Sequence, residues 1–397
     1  MKKIGFVIPW YGENIPGGAE MELREVSGHL KNAGVDVEIL TTCAKDFSSD
    51  WNKDFYRPGN DTVGGIPVKR FKLKKRDSRA FDLVNAKLMR NEAVSPDEEK
   101  IFIDNMVGSD DLYEYIRKNS DDYTCFVFIP YMFGTTYFGA KACEKKAVLI
   151  PCFHDEAYAH MKIFREQYSK ARGMIFNAMP EMKLAEELCD FSGTEEILMG
   201  IGMDTDITSD AERFRKKYKI DSPFILYAGR KDKGKNVDTL LTYFAEYRKR
   251  HETDLRLVLI GGGSIEIPES AADHIDDLGF VDRSDKYDAA AAAEFLCQPS
   301  KNESFSLVIM ESWLCRRPVL VHGKCPVTRN FASESNGGLY FENYFEFEGC
   351  VDYFLKNKEK SRMMGENGRK YVTDNFSWDI IVKKYISFFE KLEETEA

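Results

Sequence analysis

Short apolar runs alternate with longer amphipathic stretches along nearly the whole chain, and this alternation limits the fold more than any other feature. IGFVIP (4–9), VDVEILTT (35–42), CFVFIP (125–130), AVLIPCF (147–153) and GMIFNA (173–178) are six to eight residues long and read as buried strands. The last three each lead into a plausible helix, and AEMELREVSGHLKNAG (19–34) reads as a helix closing at Gly34. GGIPVKRFKL (64–73) reads as a strand entered from a turn, and residues 75–122 as charged and mostly helical. Strands separated by helices imply parallel pairing with crossover helices.

The pattern breaks around 199–222, which is rich in Gly, Asp, Ser and Lys, and then restarts. FILYAG (224–229), LRLVLIG (255–261), IDDLGFV (275–281), EFLCQPS (294–300), RPVLVHG (317–323) and GGLYF (337–341) read as a second set of strands. Helices are expected at 236–251 and from about 306. A chain of 397 residues is too long for one ordinary core. The expectation is an α/β protein of two Rossmann-like, doubly wound domains, 1–200 and 201–377. A last helix, about 378–397, is expected to pack back on the first domain. In such sheets ligands sit beyond the carboxyl ends of the strands, so the expected site is the cleft between the two domains.

A net charge of −10 argues against nucleic acid as a partner. Nine scattered cysteines with no CxxC fit a reducing compartment. The first apolar run is six residues long and ends at Pro9, too short for a signal peptide, and no stretch reaches the length of a membrane span. A cytoplasmic, soluble protein is expected.

The residues after each strand carry the candidate chemistry. Pro16-Gly17-Gly18 separates the first strand from the first helix, either as a plain turn or as a loop that lets a ligand approach the backbone. Arg230 and Lys235 follow FILYAG in GRKDKGKN, where two cations suit a diphosphate; the alternative is a solvated basic loop shared with Lys231 and Lys233. Gly261-Gly262-Gly263 lacks the dinucleotide fingerprint, because the third glycine of GxGxxG falls at Glu266. His154, in CFHDE, lies near Cys152, Asp155, Glu156 and His160, but the spacing follows no standard metal-ligand pattern. Asp204-Thr205-Asp206 falls in the linker and reads as turn and helix-cap chemistry. No metal site is expected.

NESFSLVIMESW (302–313) places Glu303 before a helix and Glu311 inside it, either as the solvated ends of a buried segment or as two ends of a ligand site. Eight residues span roughly 12 Å if helical, a length that suits a nucleotide sugar. Its hydroxyls would reach the two carboxylates, and its diphosphate would rest on the N–H groups of Phe305, Ser306 and Leu307.

ESFSLVIMES resembles the E-x7-E element of family 4 retaining glycosyltransferases, which have the GT-B fold. GGAE (17–20), HDE (154–156), GIGMD (200–204), GRKDKGKN (229–236), LIGGGS (259–264), LGFV (278–281) and NGGLYF (336–341) follow the order of that family, so the resemblance covers nearly the whole chain. It implies that Arg230 and Lys235 neutralise the donor diphosphate, that Glu303 lies near the donor sugar and that Glu311 binds the ribose. It also implies that Phe280 and Val281 meet the base through backbone atoms. Gly17 and Gly18 would lie against the phosphates and sugar, and His154 near the donor hexose and the acceptor. Ser306 departs from the family, which usually has glycine there.

The expected activity is metal-independent, retaining transfer of a hexose from a nucleotide-diphosphate sugar, such as a GDP- or UDP-hexose, to a saccharide or lipid-linked acceptor, in surface polysaccharide biosynthesis. No separate cofactor is expected. Peripheral contact with the inner membrane face is a further expectation. The alternatives are a nucleotide-sugar epimerase on the same fold and a non-catalytic sugar-nucleotide binding protein. A nicotinamide-dependent dehydrogenase ranks last, for want of the glycine fingerprint.

Overall fold

The computed structural model describes residues 1–15 and 17–394; Pro16 of the glycine turn and 395–397 of the expected last helix lie outside them. The chain divides into two compact units, residues 1–202 with 378–397, and residues 203–377.

The first unit holds an eight-stranded sheet: β1 (Lys3–Ile8), β2 (Val37–Thr42), β3 (Gly59–Val63), β4 (Ile66–Phe71), β5 (Tyr123–Phe128), β6 (Ala147–Leu149), β7 (Gly173–Phe176) and β8 (Glu195–Leu198). The strand order is β3-β4-β2-β1-β5-β6-β7-β8, parallel except for β3 against β4. Continuous burial of β1, β2 and β5 reflects helices covering both faces. β3 and β8 have no counterpart in the sequence expectation. β3 reads GNDTV and is exposed over its first four residues, so no apolar signal marks it. It is fixed instead by Gly64-Gly65, with φ of 56° and 78°, the two-residue turn that a tight hairpin requires.

The segment 75–122 supplies helices Ser78–Met89, Pro96–Asp104 and Asp110–Asn119, each started by a side-chain cap from Asp77, Ser95 or Ser109. The last helix, Trp378–Glu394, belongs to this unit. Trp378 stacks on His29 with ring centroids 4.0 Å apart, and Lys384 donates to the Met199 carbonyl at 3.1 Å.

The second unit is a six-stranded, all-parallel sheet: β9 (Phe224–Ala228), β10 (Arg256–Ile260), β11 (Ile275–Asp277), β12 (Phe295–Gln298), β13 (Val319–His322) and β14 (Gly338–Phe341). The order β11-β10-β9-β12-β13-β14 reverses direction between β9 and β12. Its core packs Ile225, Tyr227, Leu257, Phe295, Leu320 and Phe347 together. β11 stops at Asp277, so Leu278–Val281 is loop rather than the expected continuation of the strand.

The expected linker is partly structured. Helix Ala211–Tyr218 lies inside it, capped by Asp210. Asp204 caps no helix; it pairs with Arg283 at 2.7 Å.

Candidate functional site

Where strand order reverses, the loops after the two central strands part and leave a crevice at the carboxyl edge of the sheet. In the second unit those loops follow β9 and β12, and two contacts join them. Lys235 Nζ lies 2.7 Å from Glu303 Oε1, and Asn236 Nδ2 donates to the Pro299 carbonyl at 2.9 Å. The Lys235 and Glu303 side chains are 29% and 10% exposed, so the pair is shielded yet reachable. Asp232 orients the short turn Lys233–Lys235, its Oδ1 accepting from the Lys235 N–H at 2.9 Å. Its other oxygen pairs with Arg230, whose side chain is otherwise exposed. Arg230 and Lys235 are therefore held through one aspartate, facing different partners.

Lys231, in the same basic run, is not a solvated lysine. It is 3% exposed, and its ammonium lies 2.5 Å from Asp277 at the end of β11. The loops after β9, β10 and β11 are stacked backbone on backbone. Lys231 N–H donates to the Gly262 carbonyl at 2.8 Å, and Gly261 N–H to the Gly279 carbonyl at 2.8 Å. A Cβ on Gly261 would stand 2.0 Å from the Gly229 carbonyl oxygen. Close packing of neighbouring loops thus accounts for Gly261. Phe280 is 89% exposed and Val281 half-buried on the loop that this stacking supports.

Glu303 precedes helix Leu307–Leu314, and Glu311 lies within it. Glu311 is buried and 2.5 Å from Lys286 Nζ on helix Arg283–Ala292. Each carboxylate of NESFSLVIMESW therefore has its own lysine, and the helix N-terminus lies between them in sequence. The Phe305 ring is core, packed against Phe331 and Phe376 at 5.2 and 5.1 Å, so only its backbone can meet a ligand. Among the described residues the N–H groups of Phe305, Ser306 and Leu307 have no hydrogen-bond partner. The edge combines two lysines, two carboxylates and a helix N-terminus, which suits a ligand with hydroxyls around a negative centre.

Residues 209–371 match the family described as glycosyl transferases group 1. That match covers most of the second unit. The chain is 24% identical to a D-inositol 3-phosphate glycosyltransferase of Gordonia bronchialis over 61% of its own length and 58% of that protein's. It spans between half and three-fifths of the first curated relatives it matches. Sucrose-phosphate synthase of Thermosynechococcus elongatus superposes with a TM-score of 0.72 at 15% identity, covering 100% of both chains. Anabaena HepE, solved with UDP and glucose, superposes with a TM-score of 0.69 at 15% identity, covering 98% of this chain and 100% of that one. The fold is GT-B.

The remaining candidates lie in the first unit of this glycosyltransferase-like chain. Gly17, at φ 142°, caps helix Gly18–Asn32, and both glycines are exposed. Glu20 folds back over Gly17, where a Cβ would meet its carboxylate at 1.9 Å, and accepts from Trp10 Nε1 at 2.5 Å. His154 lies on the loop after β6, its Nδ1 4.0 Å from Glu156. Glu156 accepts from the Tyr131 hydroxyl at 3.0 Å, and burial raises its carboxyl above the usual range. Asp155 pairs with His160 at 2.7 Å on the surface. Among the described residues no three His, Cys, Asp or Glu side chains converge.

Sequence reasoning missed Lys286, Asp277 and a buried network behind the first unit's loops. Lys286 lies 25 residues from Glu311 and Asp277 lies 46 from Lys231, so neither pairing leaves a local signal. In the network, Glu181 accepts from Phe153 N–H at 2.9 Å and Asn177 N–H at 2.8 Å. Asn177 Nδ2 donates to both Glu22 oxygens at 3.1 and 3.2 Å. The loop before His154 and the helix after Gly17–Gly18 are thus joined through one asparagine.

Burial, with a smaller contribution from the nearby Glu181 charge, pushes the Glu22 carboxyl up to about 8, and burial pushes that of Glu181 to about 7. A carboxyl raised on folding binds a proton that the unfolded chain releases. Stability is then greatest below the unfolded value near pH 4.5 and falls as pH rises through the folded values. The melting temperature of the first unit is expected to fall between pH 5 and pH 8, and Glu22→Gln to flatten that fall and raise the midpoint at pH 8.5 by several degrees. Melting curves across that range test it; an unchanged slope in Glu22→Gln would place the titration elsewhere.

Proposed function

We propose that the protein is a retaining, metal-independent glycosyltransferase that moves a hexose from a UDP- or GDP-hexose to a hydroxyl of a saccharide or lipid-linked acceptor. The observation that carries this reading is the Lys235–Glu303 pair at the strand-order reversal of the unit that matches glycosyl transferases group 1. A diphosphate entering there meets Lys235 and Arg230 as cations and the N–H groups of Phe305 and Leu307 as donors. Glu303, released from Lys235, is free to accept from the donor sugar's hydroxyls, and Glu311 from those of the ribose. Phe280 and Val281 meet the base through their backbone. Gly17, Gly18 and His154 are the first unit's contributions to binding donor and acceptor.

Transfer builds negative charge on the leaving diphosphate, and Lys235, Arg230 and the helix end stabilise that charge as it grows. The leaving phosphate accepts the acceptor's proton, so no protein base is required. UDP and glucose bound to HepE support a uridine nucleotide as the first donor to try. Phe47 and Phe55, 67% and 60% exposed, lie on the loop after β2, with Lys45 Nζ 5.4 Å over the Phe55 ring. They support contact with a lipid-linked acceptor at a membrane face.

Thermal stabilisation by UDP, GDP and their hexoses, with chelator present, tests donor binding. One nucleotide is expected to raise the midpoint by at least 3 °C at about 100 Kd, and Arg230→Ala to lessen the gain. Stabilisation that appears only with added divalent metal would overturn the metal-independent reading. Incubation of donor alone separates transfer from epimerisation, since an epimerase isomerises it without acceptor.

A further inference from the structure

Ser306 combines two unfavourable features in one residue. At φ 78° and ψ 77° it occupies the left-handed region, where a side chain with a Cβ is strained and glycine is not. Its hydroxyl has no hydrogen-bond partner although the residue is only 8% exposed. Burying a hydroxyl without a partner is unfavourable, and a structure keeps such a group where something else repays it.

The cause is local. A serine at a helix start ordinarily accepts from an N–H two or three residues on, as Ser95 and Ser109 do here from Glu98 and Leu112. Ser306 holds the same position before Leu307–Leu314 but makes no such bond. Its left-handed backbone denies the hydroxyl that acceptor role and leaves it a donor with nothing to donate to. It stands beside the unpartnered N–H groups of Phe305 and Leu307 and three residues from Glu303, which Lys235 already holds.

We propose that the Ser306 hydroxyl donates to a non-bridging phosphoryl oxygen of the nucleotide diphosphate, a contact that glycine at this position lacks. The inference rests on the donor site proposed above and adds a ligand contact to it. A phosphoryl oxygen fits better than a sugar hydroxyl, because the adjacent Phe305 and Leu307 N–H groups are donors and a helix N-terminus favours an anion. Ser306 thus weakens the empty protein and strengthens the occupied one.

Ser306→Gly and Ser306→Ala separate the two effects. Both are titrated calorimetrically with UDP and with GDP, and both are melted without ligand. Glycine removes strain and hydroxyl together, so its unliganded midpoint rises above wild type. Alanine removes the hydroxyl alone, so its midpoint rises less. Both are expected to bind the nucleotide about tenfold to 150-fold more weakly, the effect of one hydrogen bond to a charged group. Ser306→Ala binding as tightly as wild type would overturn the proposal, whatever glycine does. Wild type that binds neither UDP nor GDP would overturn the donor site itself, and this contact with it. Loss in Lys235→Ala alone would uphold the donor site and refute the Ser306 contact.

Discussion

Replacing Lys235 by alanine is expected to lower kcat/KM by about 10²- to 10³-fold, the effect of removing one group that faces developing charge. The second unit should stay folded. Its stability should still fall, because Glu303 is 10% exposed and loses the ammonium 2.7 Å away. The double variant Lys235→Ala/Glu303→Gln removes the stranded charge. Its melting temperature should recover towards wild type while its turnover stays low. That divergence distinguishes a lysine that serves the reaction from one that only balances Glu303. Full turnover in Lys235→Ala would remove the main support for a donor site here.

Gly261→Ala is expected to unfold the second unit, or to cost more than about 4 kcal/mol, within the range reserved for strain and backbone collision. Its φ is 129°, which disfavours any Cβ, and that Cβ would stand 2.0 Å from the Gly229 carbonyl oxygen. Both atoms belong to backbone that is hydrogen-bonded in place, so neither loop can yield cheaply. Gly262→Ala is the control, since a Cβ there meets nothing within 4 Å. Circular dichroism melting of the two variants reads the contrast. Equal tolerance at both positions would mean that the stacked loops are looser than drawn.

The basic run GRKDKGKN shows how far local sequence reaches. Its four cations look alike in one dimension, and the strand before them marks the run as lying at a sheet edge. Which lysine is buried is not written there. Lys231 finds Asp277 46 residues away, and Lys235 finds Glu303 68 residues away. Arg230 turns to Asp232, two residues on, and stays exposed. The same holds for Ser306: its identity marks a departure from glycine, but the strained backbone and unpartnered hydroxyl belong to the folded loop.

Continuous apolar runs such as FILYAG and CFVFIP determined that two largely parallel sheets form, because a strand covered on both faces must be apolar on both. The order of the motifs determined the family resemblance, and glycines in the turns marked where the chain runs tight. The polar strand β3, the burial of Lys231 and the pairing of each glutamate with its own lysine were decided only by tertiary structure. Apolar burial is set by a residue's own chemistry and repeats along the chain, so it is legible locally. A charge or a hydroxyl takes its meaning from a partner that folding brings from far away.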